Sequence, residues 1–205
     1  MKTYQDLQKE LTSESNIQRF VFGAINDYKG TDTYKDALDG IAYSTGNNTA
    51  IMEFRKLLYT ITGEAVPDNF SANHKCASGF FNRLTCQLSS YLLSNGVTFE
   101  QDSTKDKLDI NFDTKLLNAT QNALVQGAVY GFYNQDHIDY FTASEFVPLY
   151  DEETGALRAG IRFWQISDNK PLRATLYEED GYTEYIKNRG DIKILRDKTA
   201  YNLVM

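Results

Sequence analysis

Residues 113–150 read DTKLLNATQNALVQGAVYGFYNQDHIDYFTASEFVPLY, and a change of period inside this stretch decides the fold. Leu116, Leu117, Ala123 and Leu124 recur at helical spacing, with Asp113 placed to cap the helix and Gly127 to stop it. Beyond Gly127 the period becomes two. Residues 128–133, 138–142 and 145–150 alternate as half-buried strands do.

Downstream the alternation continues through residues 157–166, 172–178, 182–187 and 191–195. Turn-forming clusters at 151–155, 167–170, 179–181 and 188–190 separate them. Upstream the chain reads as helical. Residues 4–11 form a short polar helix. Ser13 or Ser15 can cap the next one, whose apolar positions are Ile17, Phe20, Val21, Ala24, Ile25 and Tyr28, and which Gly30 ends. Thr33 can cap a third, with Tyr34, Ala37, Leu38 and Ile41 on one face. Ile51, Phe54, Leu57, Leu58 and Ile61 mark a fourth that stops at Gly63, and residues 64–69 form a loop.

A long amphipathic helix is expected over residues 71–94. Its apolar stripe is Ala77, Phe80, Phe81, Leu84, Leu88, Tyr91 and Leu92, and it would span about 35 Å. Asn95-Gly96 ends it, Val97-Thr98-Phe99 reads as a strand, and residues 101–109 read as a solvated loop. Helices followed by a meander of strands predict an α+β fold with an antiparallel sheet. The expected division is a helical part, 1–101, and a helix-plus-sheet part, 102–205, within one structural unit.

At 41% apolar and 24% charged residues the chain is composed like a globular protein rather than a disordered one. The net charge is −7, with no basic block. Tight duplex binding needs several Lys or Arg contacts to phosphates, so the sequence argues against a DNA-binding domain of that kind. A surface that DNA passes without sticking stays compatible. Cys76 and Cys86 both fall in the expected long helix, about 15 Å apart along its axis, too far to bridge. They are expected as reduced, buried thiols in a cytosolic setting. Met1-Lys2-Thr3-Tyr4-Gln5 leads into a polar helix rather than a signal peptide, and no apolar run is long enough to span a membrane.

The sharpest chemical candidate is Asp136-His137-Ile138-Asp139. On a strand His137 and Asp139 point the same way, and Asp136 or Glu145 can add a carboxylate. Those residue types suit a metal site or a general base, hence a small metal-dependent hydrolase. A polar hairpin turn followed by a strand with one wet face explains the same residues. Asp151-Glu152-Glu153 and Glu178-Glu179-Asp180 offer hard oxygens for a cation but read equally as solvated turns. Cys76 beside Lys75 reads as a structural thiol, and Ser78-Gly79 sits mid-helix, where a nucleophile is not expected. Arg19, Arg55 and Arg83 can grip phosphates or neighbouring subunits, or form helix-surface ion pairs. Tyr28, Tyr34, Tyr43, Tyr59 and Tyr91 can line a subunit interface or pack a core. No phosphate-binding glycine loop and no nucleophile elbow is present.

Three ordered segments share a further pattern. The first runs from Tyr28-Lys29-Gly30 through Asp39-Gly40-Ile41-Ala42-Tyr43 to Gly46-Asn47. The second is an Asn-rich entry, from Asn69, into a helix ending Tyr91-Leu92-Leu93-Ser94-Asn95-Gly96-Val97-Thr98-Phe99. The third runs from Gly127-Ala128-Val129-Tyr130 through Pro148-Leu149-Tyr150-Asp151 to Ala159-Gly160-Ile161-Arg162-Phe163-Trp164. Together they resemble the portal proteins of tailed bacteriophages, in the group typified by siphovirus portals of Gram-positive hosts. The resemblance covers about residues 20–165 and extends to the strands that follow.

The resemblance implies a wing-like α+β region of a ring homo-oligomer, usually a dodecamer, at one capsid vertex of the virion, assembled in the host cytoplasm. It implies DNA passing through the ring during packaging and ejection without sequence-specific binding, and contacts with terminase, scaffold, major capsid and head-completion proteins. It implies no catalytic residue, no metal and no cofactor. Family members continue into a stem helix, a clip and a tunnel-lining helix, which these 205 residues are expected to lack. A stand-alone phage interaction module is the remaining expectation.

Overall fold

The computed structural model describes residues 2–11, 13–101, 104–105, 107–134 and 137–201. The fold is α+β, with helices preceding a C-terminal antiparallel sheet. The helices are α1 (Tyr4–Glu10), α2 (Glu14–Lys29), α3 (Asp32–Ser44), α4 (Thr49–Glu53), α5 (Phe80–Leu93) and α6 (Phe112–Gln126). The strands are β1 (Leu57–Tyr59), β2 (Ala65–Pro67), β3 (Val129–Asn134), β4 (His137–Thr142), β5 (Phe146–Tyr150), β6 (Leu157–Trp164), β7 (Leu172–Tyr177), β8 (Gly181–Asn188) and β9 (Asp191–Ala200).

Strands β5 to β9 form one sheet in sequence order, each pair antiparallel. The alternation read from the sequence sets its two faces. Val147, Leu149, Ala159, Ile161, Phe163, Ala174, Leu176 and Tyr185 point to one face and are buried there against Leu7 of α1 and Phe20, Val21, Ala24, Ile25 and Tyr28 of α2. The main core is therefore shared between the first two helices and the C-terminal sheet. The Tyr28 hydroxyl donates to the Ala143 carbonyl at 2.8 Å, so the buried phenol keeps its hydrogen bond. Arg189 and Gly190, with φ 47° and 101°, make the tight left-handed turn between β8 and β9.

The β3–β4 hairpin covers part of the opposite face with aromatic rings. Tyr130 stacks on Phe146 at 4.7 Å between centroids, and Phe132 meets Tyr177 at 4.8 Å. A third layer joins α3, α5 and α6. Gly40 lies so close to α6 that a β-carbon there would fall 1.9 Å from the Val125 carbonyl oxygen.

The caps differ in detail from expectation. Thr31, not Thr33, caps α3, accepting from the Tyr34 amide at 3.3 Å. Ser13 holds the cap position of α2 without a side-chain bond. Asp113 sits inside the first turn of α6, and its carboxylate accepts from the Val97 amide and from Lys105 instead.

Residues 49–99 depart further. The helix expected to reach Gly63 is only the five-residue α4. Leu57 to Pro67 fold as the β1–β2 hairpin, whose tip is closed by Thr60 N donating to Glu64 O and Gly63 N to Thr60 O, both at 2.9 Å. Thr60, Ile61 and Thr62 are β-branched, and Gly63 at φ +81° supplies the left-handed position that the turn requires. The long helix starts at Phe80, not Ser71. Ser78-Gly79 interrupts it, and the preceding residues run extended, tied to residues 52–56 by bonds from Lys56 to the Ala72 carbonyl and from Asn73 to the Phe54 carbonyl. Its 14 residues span about 21 Å. Val97-Thr98-Phe99 is not a strand.

Candidate functional site

Helix α5 is amphipathic with its faces reversed. Its inner face, against α3 and α6, is built from Phe81, Thr85, Cys86, Ser89 and Leu93, and Ser89 is only 2% exposed. Small residues let the helices approach closely. The buried hydroxyls stay satisfied because Thr85 donates to the Phe81 and Asn82 carbonyls and Ser89 to the Cys86 carbonyl. Its outer face carries Phe80, Leu84, Leu88, Tyr91 and Leu92, all exposed, Tyr91 by 85%. Phe80, Leu84, Leu88 and Tyr91 follow at i, i+4, i+8 and i+11, a continuous stripe along about three turns.

A second apolar surface belongs to the same stretch of chain. In the β1–β2 hairpin every residue is exposed on both faces, including Leu57, Leu58, Tyr59 and Val66. Ile61 at the tip and Phe70 beyond β2 are fully in solvent. Met52 and Phe54, at and after the end of α4, are exposed as well. Complete burial of a large apolar side chain contributes about 1.5–3 kcal/mol, so the four half-covered or exposed side chains of the α5 stripe leave roughly 3–6 kcal/mol unrealised. Isolated exposed leucines are ordinary; a contiguous patch of this kind marks an interaction surface.

The chemical candidates do not converge. His137 Nε2 lies 3.4 Å from Asp139 Oδ1, so the expected pair on one strand face is present. Asp136 lies outside the described residues. Glu145 is turned away, its carboxylate accepting from the Thr142 amide at 3.2 Å and facing Arg162 at 3.9 Å. Among the described residues no group of three or more His, Cys, Asp or Glu is arranged to hold a metal ion. Asp151 accepts from the amides of Thr154 and Glu153 and from the Thr154 hydroxyl. Its carboxyl is held below the ordinary carboxylate range, first by the Thr154 amide. Glu152 accepts from the Thr3 hydroxyl at 2.6 Å, so this turn fastens α1 to the sheet. Glu178 and Asp180 both clasp Lys198, at 3.0 and 2.7 Å, and Glu179 pairs with Arg158.

The tyrosines divide. Buried Tyr28 packs against half-buried Tyr34 at 5.7 Å, and Tyr43 meets Phe81 at 6.5 Å, both half-buried. Tyr59 and Tyr91 point outward on the apolar surface. Arg19, Arg55 and Arg83 are exposed. The cysteine expectation is corrected: Cys76 is exposed in the extended segment before α5, and Cys86 is half-buried with Gln121 Nε2 3.1 Å from its sulfur. Ser78 lies in that same segment, not mid-helix. A cleft of about 150 Å³ between the β3–β4 hairpin and the sheet is lined by Tyr130, Phe132, Phe141, Phe146, Tyr177 and Tyr201, with Arg158 and Glu178 also in its wall. Those two charges are already paired, with Glu179 and Lys198 respectively.

Sequence periodicity groups Phe80, Phe81, Leu84 and Leu88 as one stripe and reads it as core packing, whereas Phe80, Leu84 and Leu88 are exposed. The signal that separates them is the Thr85/Ser89 row four residues apart, a small-residue face suited to helix contact. No helix among the described residues is long and apolar enough to cross a membrane. No protein-family model matches the chain, and no curated protein matches it.

Proposed function

We propose that this chain is a portal-like structural subunit of a tailed-phage head. It assembles as a ring homo-oligomer at the capsid vertex and forms part of the conduit for DNA packaging and ejection. Its role is geometric and requires no catalytic group, metal or cofactor of its own. Terminase, scaffold, major capsid and head-completion proteins are its partners by the same resemblance, with assembly in the host cytoplasm and residence in the virion.

The observation that carries this proposal is the outward apolar face of α5 together with the exposed β1–β2 hairpin. A chain that folds a complete core around its sheet while leaving these surfaces bare has the form of an assembly subunit. The helix that ends in the portal-like Tyr91-Leu92-Leu93 sequence is the one turned outward. The net charge of −7 suits a surface past which DNA slides by repulsion.

Negative-stain imaging of the purified chain tests the proposal. Closed rings of uniform diameter are expected. Particles that stay monomeric at every concentration would contradict it.

A further inference from the structure

We infer that neighbouring copies meet head-to-tail, the β1–β2 hairpin of one copy lying along the Phe80, Leu84, Leu88 and Tyr91 face of α5 in the next. This rests on the self-assembly proposed above and adds which surfaces meet.

An isolated two-stranded hairpin is marginally stable in water, so a hairpin exposed on both faces needs a surface to lie on. Among the described residues it has none. The register places Leu58 and Val66 on one face and Leu57, Tyr59, Ala65 and Pro67 on the other. From Leu57 to Ile61 the hairpin extends about 14 Å, and from Phe80 to Tyr91 the α5 stripe extends about 16 Å. The two apolar surfaces thus match in length.

Charge agrees with the same pairing. Helix α5, FFNRLTCQLSSYLL, contains no carboxylate and one cation, Arg83. Around the hairpin, Lys56 and Lys75 donate to the Ala72 and Met52 carbonyls, and Asp68 accepts from the Phe70 and Ser71 amides. Glu64, beside the hairpin tip, has no side-chain partner among the described residues; neither have Glu53 and Arg55, before the hairpin, nor Arg83. Glu64 of one copy is the natural complement of Arg83 in the next.

The two surfaces differ, so their contact is heterologous and propagates from copy to copy until it closes as a ring. A symmetric α5-to-α5 contact would cover the helix and leave the hairpin bare.

The test uses two variants of the full chain in native mass spectrometry. Tyr59→Asp with Ile61→Asp disables the hairpin, and Leu84→Asp with Leu88→Asp disables the helix face. All four positions are exposed, so the fold is expected to persist. If circular dichroism shows otherwise, Tyr59→Ser and Leu88→Ser carry the same test. Each variant alone should be monomeric. An equimolar mixture should give a dimer of one of each, twice the monomer mass, and nothing larger, because one intact hairpin meets one intact face.

A hairpin variant that still pairs alone would overturn the inference in favour of α5-to-α5 contact. Variants that both assemble like the unaltered chain would overturn it while leaving the ring proposal standing. An unaltered chain that is monomeric would overturn both.

Discussion

Gly160 lies beneath the Phe146 ring so closely that a β-carbon there would fall 2.0 Å from the ring's Cζ atom. Gly160→Ala must displace the ring from its stack with Tyr130, and a loss of about 1–3 kcal/mol in urea unfolding is expected. Several phenols packed on or beside the sheet set a pH limit, Tyr185 and Tyr201 among them. Burial pushes Tyr185 and Tyr201 up from 10.0 to about 12. In the unfolded chain both ionise near 10. Their preference for the folded state is therefore complete below pH 10 and lost between pH 10 and 12, because the unfolded chain gives up its protons first. Urea midpoints should stay level up to about pH 10 and then fall, and Tyr185→Phe should flatten that fall. An equally steep fall in the variant would contradict the assignment. Cys76, in the open, should react with a thiol reagent in the native chain well before Cys86. Equal rates would place Cys76 somewhere other than the exposed segment.

At the scale of elements, the antiparallel sheet was legible because each strand needs only its own alternation and the turn that follows it. Tyr150-Asp151 and Asn188-Arg189-Gly190 both end strands where their residue types predict. Helices α1 to α3 and α6 were legible for the corresponding reason, with caps misplaced by a residue or two. Residues 49–79 were not. Ile51, Phe54, Leu57, Leu58 and Ile61 fit helical spacing, yet among the described residues nothing buries these side chains, and the local preference of Thr60-Ile61-Thr62-Gly63 for a hairpin prevails. The candidate surface was legible only as a stripe, since periodicity fixes the arc of a helix but not what lies against it. The reversed faces of α5 make a paired prediction. Ser89→Leu on the inner face should overpack the helix contact and lower stability by about 1–3 kcal/mol. Leu88→Ser on the outer face should change the unfolding of the dilute chain by no more than about 0.5 kcal/mol. The opposite order would mean that the faces are assigned the wrong way round.

As a whole molecule, the chain joins a complete core, shared by α1, α2 and the five-stranded sheet, to a region between α4 and α5 that finds little cover within one copy. Its acidic balance predicts weak retention on DNA even at low salt, measured by elution from a DNA column. Strong retention released by salt would contradict the sliding-surface part of the proposal. The central claim is that other copies cover the α5 face and the hairpin, and hydroxyl-radical footprinting across a concentration series measures this directly. Tyr59, Phe80 and Tyr91 should lose labelling as species larger than the monomer form, while Tyr133, exposed on the β3–β4 hairpin, keeps its own. Undiminished labelling of Tyr59, Phe80 and Tyr91 in the assembled form would contradict the account.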